Sequence, residues 1–336
     1  MSRRPNIEFE GAARFFRNAV RGERGLGPLR DLPGTWRNAE SNDPQKNQGN
    51  PFFGRGWNMI ALPFEDGGKA PFRYRMLVNQ YNEELVFDGL DGGVPNRGTN
   101  QALRKDTDQT IFAIDYQQSI TQIAADDSPK SKVAGKPGLP IHHEPGFMLH
   151  IQDRTTTIQA GELNIARLAS IPHGNSVLSM GVVVETKGPP SVPTFNGLPT
   201  GVGGAPGQNP YLDPYAAFSG TTPFLGIFDV TDPNKTLKDS LASFQIKRTT
   251  ELRFDTKFAT GNIVNIPFVE RQADASEMQA RFYIMDIKPV KLPNGKKVKE
   301  ILAYTQLVFL DFFPRPDGVP GLIRWPHVSI NVMYLA

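Results

Sequence analysis

The strongest constraint on how this chain can fold is a long series of short β-prone runs with almost nothing helical between them. Runs rich in aromatic and β-branched residues, each bounded by turn formers, cover Phe72–Val78, Glu84–Phe87, Thr110–Tyr116, Gly146–Ile151, Leu163–Leu168, Ser176–Val184, Ala242–Ile246, Glu251–Phe258 and Gly261–Val269. Two longer runs, Met278–Ile287 and Lys299–Leu310, flank Pro293-Asn294-Gly295, where Asn-Gly favours the positive φ of a tight hairpin turn. Strands that follow one another without crossover helices predict an antiparallel meander. The 336 residues suit one large barrel, since β-barrels often run past roughly two hundred residues as one unit. The expected fold is mostly β: a single antiparallel up-and-down barrel over residues 31–336, with long loops, behind an N-terminal helical extension over 1–30.

That helix is expected from Glu8 to Arg21. Ala12, Phe16 and Val20 recur at i, i+4 and i+8, Glu8 and Glu10 suit the N-terminal dipole, and Gly22 follows as a cap. Such a segment would plug or pack against a barrel end. Two stretches interrupt the β pattern: Asp91–Asp108 is polar and reads as a loop, and the Gly/Pro-rich excursion at 187–222 reads as a lid or an unstructured insert.

Composition removes several classes of function. The chain has no cysteine, which excludes disulfides, thiolate haem ligation, Cys-type zinc sites and thiol nucleophiles. The net charge is +3 and the basic residues are scattered, so the concentrated stripe that binds nucleic acid is missing. No apolar run approaches the roughly 20 residues of a membrane helix. Met1-Ser2-Arg3-Arg4-Pro5 has the twin arginine of an export signal, but Glu8, Glu10 and Arg14 interrupt the apolar core that must follow. Cytoplasm is therefore the expected location. The expected partner is a small molecule, and a homo-oligomer is compatible with the pattern.

The five histidines hold the candidate chemistry. His327 stands in Trp325-Pro326-His327-Val328, where Pro326 fixes φ at the entrance to a β-prone run. It is either a rim residue or a metal ligand facing an apolar cavity, for which 22 phenylalanines and several methionines supply lining or plain core. In Ile141–Ile151, an extended chain puts His142, Glu144 and His150 on one face and His143 on the other. Two histidines and a carboxylate would make the facial triad of a mononuclear metal enzyme; Pro145-Gly146 argues against an unbroken strand there. His173 falls in a turn, and neither Ser170 nor Ser176 sits in a Gly-x-Ser-x-Gly elbow. Arg73, Arg75, Arg167 and Arg281 lie in expected strands, and any that points inward would hold a carboxylate. A non-enzymatic carrier of a hydrophobic molecule or fatty acid fits the same pattern.

Read in order, these landmarks resemble the nitrobindins, small haem-binding barrels related in shape to the fatty-acid-binding proteins. The likeness is carried by Leu32-Pro33-Gly34-Thr35-Trp36-Arg37, Phe72-Arg73-Tyr74, Ile141-His142-His143-Glu144-Pro145-Gly146-Phe147, the stretch from Arg167 to Gly174, and Pro326-His327-Val328. The resemblance implies haem b bound largely as ferric iron, with His327 as axial ligand and His142 near the open distal face. It also implies chemistry on nitric oxide, peroxynitrite or peroxide. This chain is roughly twice as long as a typical member, and the additional residues fall between Trp36 and His142 and between His173 and Leu252.

Overall fold

The computed structural model describes residues 7–8, 14–64, 73–100, 104–153, 163–218, 220–258 and 261–336. Fourteen strands form one sheet: β1 (Ile7–Glu8), β2 (Phe15–Asn18), β3 (Gly34–Arg37), β4 (Gly56–Pro63), β5 (Tyr74–Asn100), β6 (Lys105–Ser128), β7 (Pro140–Asp153), β8 (Ile165–Ile171), β9 (Asn175–Lys187), β10 (Ile246–Asp255), β11 (Asn262–Asn265), β12 (Asp274–Lys291), β13 (Lys297–Pro314) and β14 (Leu322–Leu335). Helices are short: α1 (Asp213–Ala216), α2 (Pro233–Leu241) and α3 (Pro267–Gln272).

Neighbouring strands pair antiparallel from β5 round to β14. β3 and β4, lying end to end, both pair with β14 on one side and β5 on the other, which closes a ring of 10 wall positions. This is the closed, mostly β, up-and-down barrel that the serial pattern predicts. Closure leaves the wall without an exposed edge. The hairpin at Asn294-Gly295 forms as expected, with Lys291 opposite Lys297 and Gly295 at φ 88°.

Four expectations about secondary structure are overturned. Within the segment expected to be helical, Phe15–Asn18 is a strand paired with Gly89–Gly92 of β5, while residues 9–13 lie outside the described residues. The reason is tertiary. Phe15 packs on Gly92 and against the Phe112 ring, and Arg14 pairs with Asp91, contacts that outweigh the helical periodicity of Ala12, Phe16 and Val20. The barrel end is plugged instead by a 3-10 segment, Arg24–Leu29, whose Leu26 and Leu29 are buried beside Leu32, Trp36, Leu85 and Phe87.

Asp91–Asp108 is not a loop but the far part of the β5–β6 hairpin, paired as far as Asn100 and Lys105. A two-stranded ribbon in water needs no apolar face, so alternation gives no sign of it. Ala242–Ile246 contributes only Ile246 to a strand, because α2 occupies the residues up to Leu241, and Gly261–Val269 divides between β11 and α3.

The Gly/Pro-rich excursion is an ordered part of the fold. It packs against the wall, where Gly197 abuts Met59, Tyr74 donates to the Tyr211 carbonyl and Thr200 bridges to Arg324; beyond its end, Phe228 stacks on Trp57 at 5.4 Å. Tyr215, Phe218 and, beyond the excursion, Phe228 share one buried cluster with Trp57, Met59 and Tyr74 and with Trp325, Val328 and Ile330 of β14.

Candidate functional site

Alternation along β14 sends Val328, Ile330 and Val332 to the outer cluster and His327, Ser329, Asn331 and Met333 to the lumen. Cross-strand partners share that face: Gln306 lies opposite Ser329, Tyr304 opposite Asn331, and Asn58 of β4 opposite Ser329. On β7 the lumen face carries His142, Glu144 and Met148, paired through β6 with Ile120, Gln118 and Ile114. β7 runs unbroken through Pro145-Gly146, so the strand break expected there does not occur and the parity of His142 and Glu144 holds. His143 is exposed on the other side.

The middle of the lumen is polar and closely paired. Arg167 of β8 donates from Nη2 to Glu144 Oε1 at 2.6 Å, from Nε to the Tyr116 hydroxyl at 2.9 Å and from Nη1 to Gln306 Oε1 at 2.5 Å. Tyr116 also donates to Glu144. Burial pushes the Glu144 carboxyl up, but the Arg167 charge, the nearby His142 imidazole and the hydrogen bond from Tyr116 outweigh it and bring the pKa to about 2. Beside this group, Glu83 accepts from Tyr304, Asn331 and Gln118 at 2.8, 2.8 and 2.7 Å. Burial is the larger influence there and raises the Glu83 pKa.

Above this layer stand three imidazoles. His327 Nε2 lies 2.8 Å from Asn58 Nδ2, which also donates to Ser329 Oγ at 2.8 Å. An amide nitrogen only donates, so Nε2 accepts and the ring proton is on Nδ1. Burial, then the charges of His142 and His173, lower the His327 pKa to about 3, which keeps the ring neutral. By surface area the ring is half-buried; because its side of β14 is the lumen side, the accessible part opens inward. The His142 and His173 rings are 6.1 Å apart, and His142 Nε2 is 3.5 Å from Glu144 Oε2, a buried oxygen with no hydrogen-bond partner.

His150 is not part of this group. It is eight residues along β7 from His142, about 26 Å at the rise of a strand, and its Nδ1 donates to the Gly25 carbonyl at 2.7 Å beside the plug. The triad of His142, Glu144 and His150 therefore does not assemble, and no group of three His, Asp or Glu able to hold a metal ion occurs among the described residues. Of the four arginines, Arg167 points inward, but each of its three nitrogens already donates to a protein group. Arg75 lies on the lumen face of β5, 3.7 Å from Asp127, with Nε buried and unpartnered. Arg281 faces outward to Glu251 at 2.8 Å, and Arg73 precedes β5. Sequence reasoning missed Asn58 and Gln306, whose polar side chains in strands become informative only once their lumen parity is known.

Fold and side chains together define a closed ten-stranded antiparallel barrel with a polar lumen and three histidines above it. No family model and no curated protein matches the chain. Among solved structures it is similar to the crystal structure of Rv2717c from M. tuberculosis, at a TM-score of 0.31 and 14% identity, over 85% of this chain and 93% of that one. Likeness at that score carries no weight for function. No helix among the described residues is long and apolar enough to cross a membrane.

Proposed function

We propose that the lumen binds haem b, with His327 as the protein ligand to iron. The observation that carries this reading is the placing of His327: on the lumen side of β14, with its Nε2 lone pair engaged, among the described residues, only by the Asn58 amide. Iron ligation needs that lone pair, and the hydrogen bond given up is worth about 1 kcal/mol. A porphyrin brings its own four nitrogens, so one imidazole suffices where a bare ion would need several side chains. Arg75, on the lumen face with Nη1 given to Ser131 at 3.2 Å and 3.7 Å from Asp127, is the cation nearest in kind to a propionate partner. His142 and His173 provide the neighbouring polar groups. Bound haem would supply redox and small-gas chemistry, and the family resemblance points to nitric oxide, peroxynitrite or peroxide as reactants.

A fatty-acid carrier is less well supported, because Arg167, the buried cation that would anchor a carboxylate, already serves Glu144, Tyr116 and Gln306. The deciding experiment is an absorption titration of the protein with hemin. A saturable Soret band that His327→Ala weakens or abolishes is expected; an undiminished band in the variant would remove His327 as ligand, and no saturable band at all would remove haem.

A further inference from the structure

On the outer wall, where residues 50–57 run into β4 and meet the segment 225–227 and α2, lies a cavity of about 390 Å³ lined in part by Pro51, Arg55, Trp57, Leu225, Ile227 and Ser240. Small-molecule sites span roughly 300–1,000 Å³. Arg55 distinguishes it from a packing gap. The residue is half-buried, burial alone moves its pKa, downward, and no carboxylate lies within ion-pair distance of it among the described residues. Nε donates to the Pro51 carbonyl at 3.0 Å and Nη1 to Ser240 Oγ at 3.3 Å. Both acceptors are neutral, and a guanidinium has five N–H donors. Asp239, the acid in the lining, is taken by Lys235 at 2.8 Å. Withdrawing a charge from water without a counter-charge is costly, and the deficit here faces a cavity.

The apolar part of the lining is equally uncompensated. Leu225 and Ile227 are 57% and 60% exposed, yet their segment is fixed. Gln80 donates to the Gly54 and Leu225 carbonyls at 2.7 and 3.2 Å and accepts from the Leu225 amide at 2.8 Å. An apolar wall held open beside an unpaired cation matches a ligand that has one end of each kind.

We infer that this cavity binds a small monocarboxylate with an apolar body. Its oxygens take the remaining Arg55 donors and the Ser240 hydroxyl, whose oxygen accepts from Arg55 and whose proton is left to donate; its hydrocarbon part covers Leu225 and Ile227. Paired N–H groups of a guanidinium match the two oxygens of a carboxylate.

Calorimetric titration of the full chain with hexanoate tests this, with 1-hexanol and inorganic phosphate each offering half of the ligand. Hexanoate is expected to bind saturably at about millimolar Kd or tighter, and the two comparators at least about tenfold more weakly. Arg55→Met keeps the aliphatic stem and should weaken hexanoate about tenfold or more. Ile227→Asp, at an exposed position outside any helix or strand, should weaken it too, by repelling the anion. His327→Ala should leave it unchanged, which separates this site from the lumen. Unaltered affinity in Arg55→Met and Ile227→Asp, loss in His327→Ala, a preference for phosphate, or no saturable uptake at roughly 20 mM would each overturn the assignment.

Discussion

Glu144 and Arg167 meet at 2.6 Å in the lumen with 1% and 2% of their side chains exposed, so each is the other's principal substitute for water. Removing one partner strands the other. Arg167→Met is expected to destabilise the fold by about 3–5 kcal/mol, and adding Glu144→Gln should restore part of that loss. Urea unfolding of both variants measures it; a single variant no less stable than the double one would show that the pair is not the unit.

His327 should make the fold sensitive to acid. Its folded pKa, about 3, lies below the ordinary 6.5, so between those values the unfolded chain binds the extra proton and stability falls as pH falls. Glu144, at about 2 against an ordinary 4.5, acts with the same sign in a lower window. His327→Gln should flatten stability between about pH 6.5 and 3, followed by unfolding at a series of pH values. An unchanged slope would mean that the imidazole is not held neutral.

Asn58 competes with any metal for His327 Nε2. Asn58→Leu, which keeps the volume and removes the donor, should tighten hemin binding by about fivefold, the equivalent of one neutral hydrogen bond. Weaker binding in that variant would instead make Asn58 a positioning residue for the ring.

Gly27 has φ 53°, and a Cβ there would stand 2.7 Å from both ring nitrogens of His150. Gly27→Ala should cost about 1–3 kcal/mol. Thermal unfolding of Gly27→Ala with and without His150→Ala separates backbone strain, which persists in the double variant, from the ring clash, which does not.

Much of the barrel was legible because a closed wall demands the same alternation from every strand. Parity alone placed His142 and Glu144 together and His143 outside, and turn chemistry placed Asn294-Gly295 in its hairpin. What stayed hidden depended on partners distant in sequence. Phe15 and Phe16 follow β5 rather than their own periodicity, and the excursion packs on the outer wall because Trp57, Met59 and Tyr74 present apolar side chains there. Arg167 was visible as a candidate anchor for a ligand carboxylate; that Glu144 already occupies it required the register of β7 on β8, which sets Met148 opposite Arg167. His150 shares parity with His142, and only distance along the strand separates them.

The ring is closed by β14 against β3 and β4, with Tyr334 opposite Arg37 and Val328 opposite Met59. Nothing local can nucleate that seam, so the barrel's slowest folding step should be the meeting of its most separated segments. Until then β3, β4 and β14 each offer unpaired backbone, and the lumen histidines have no enclosure. Assembly of the site is thus tied to the final closure of the wall.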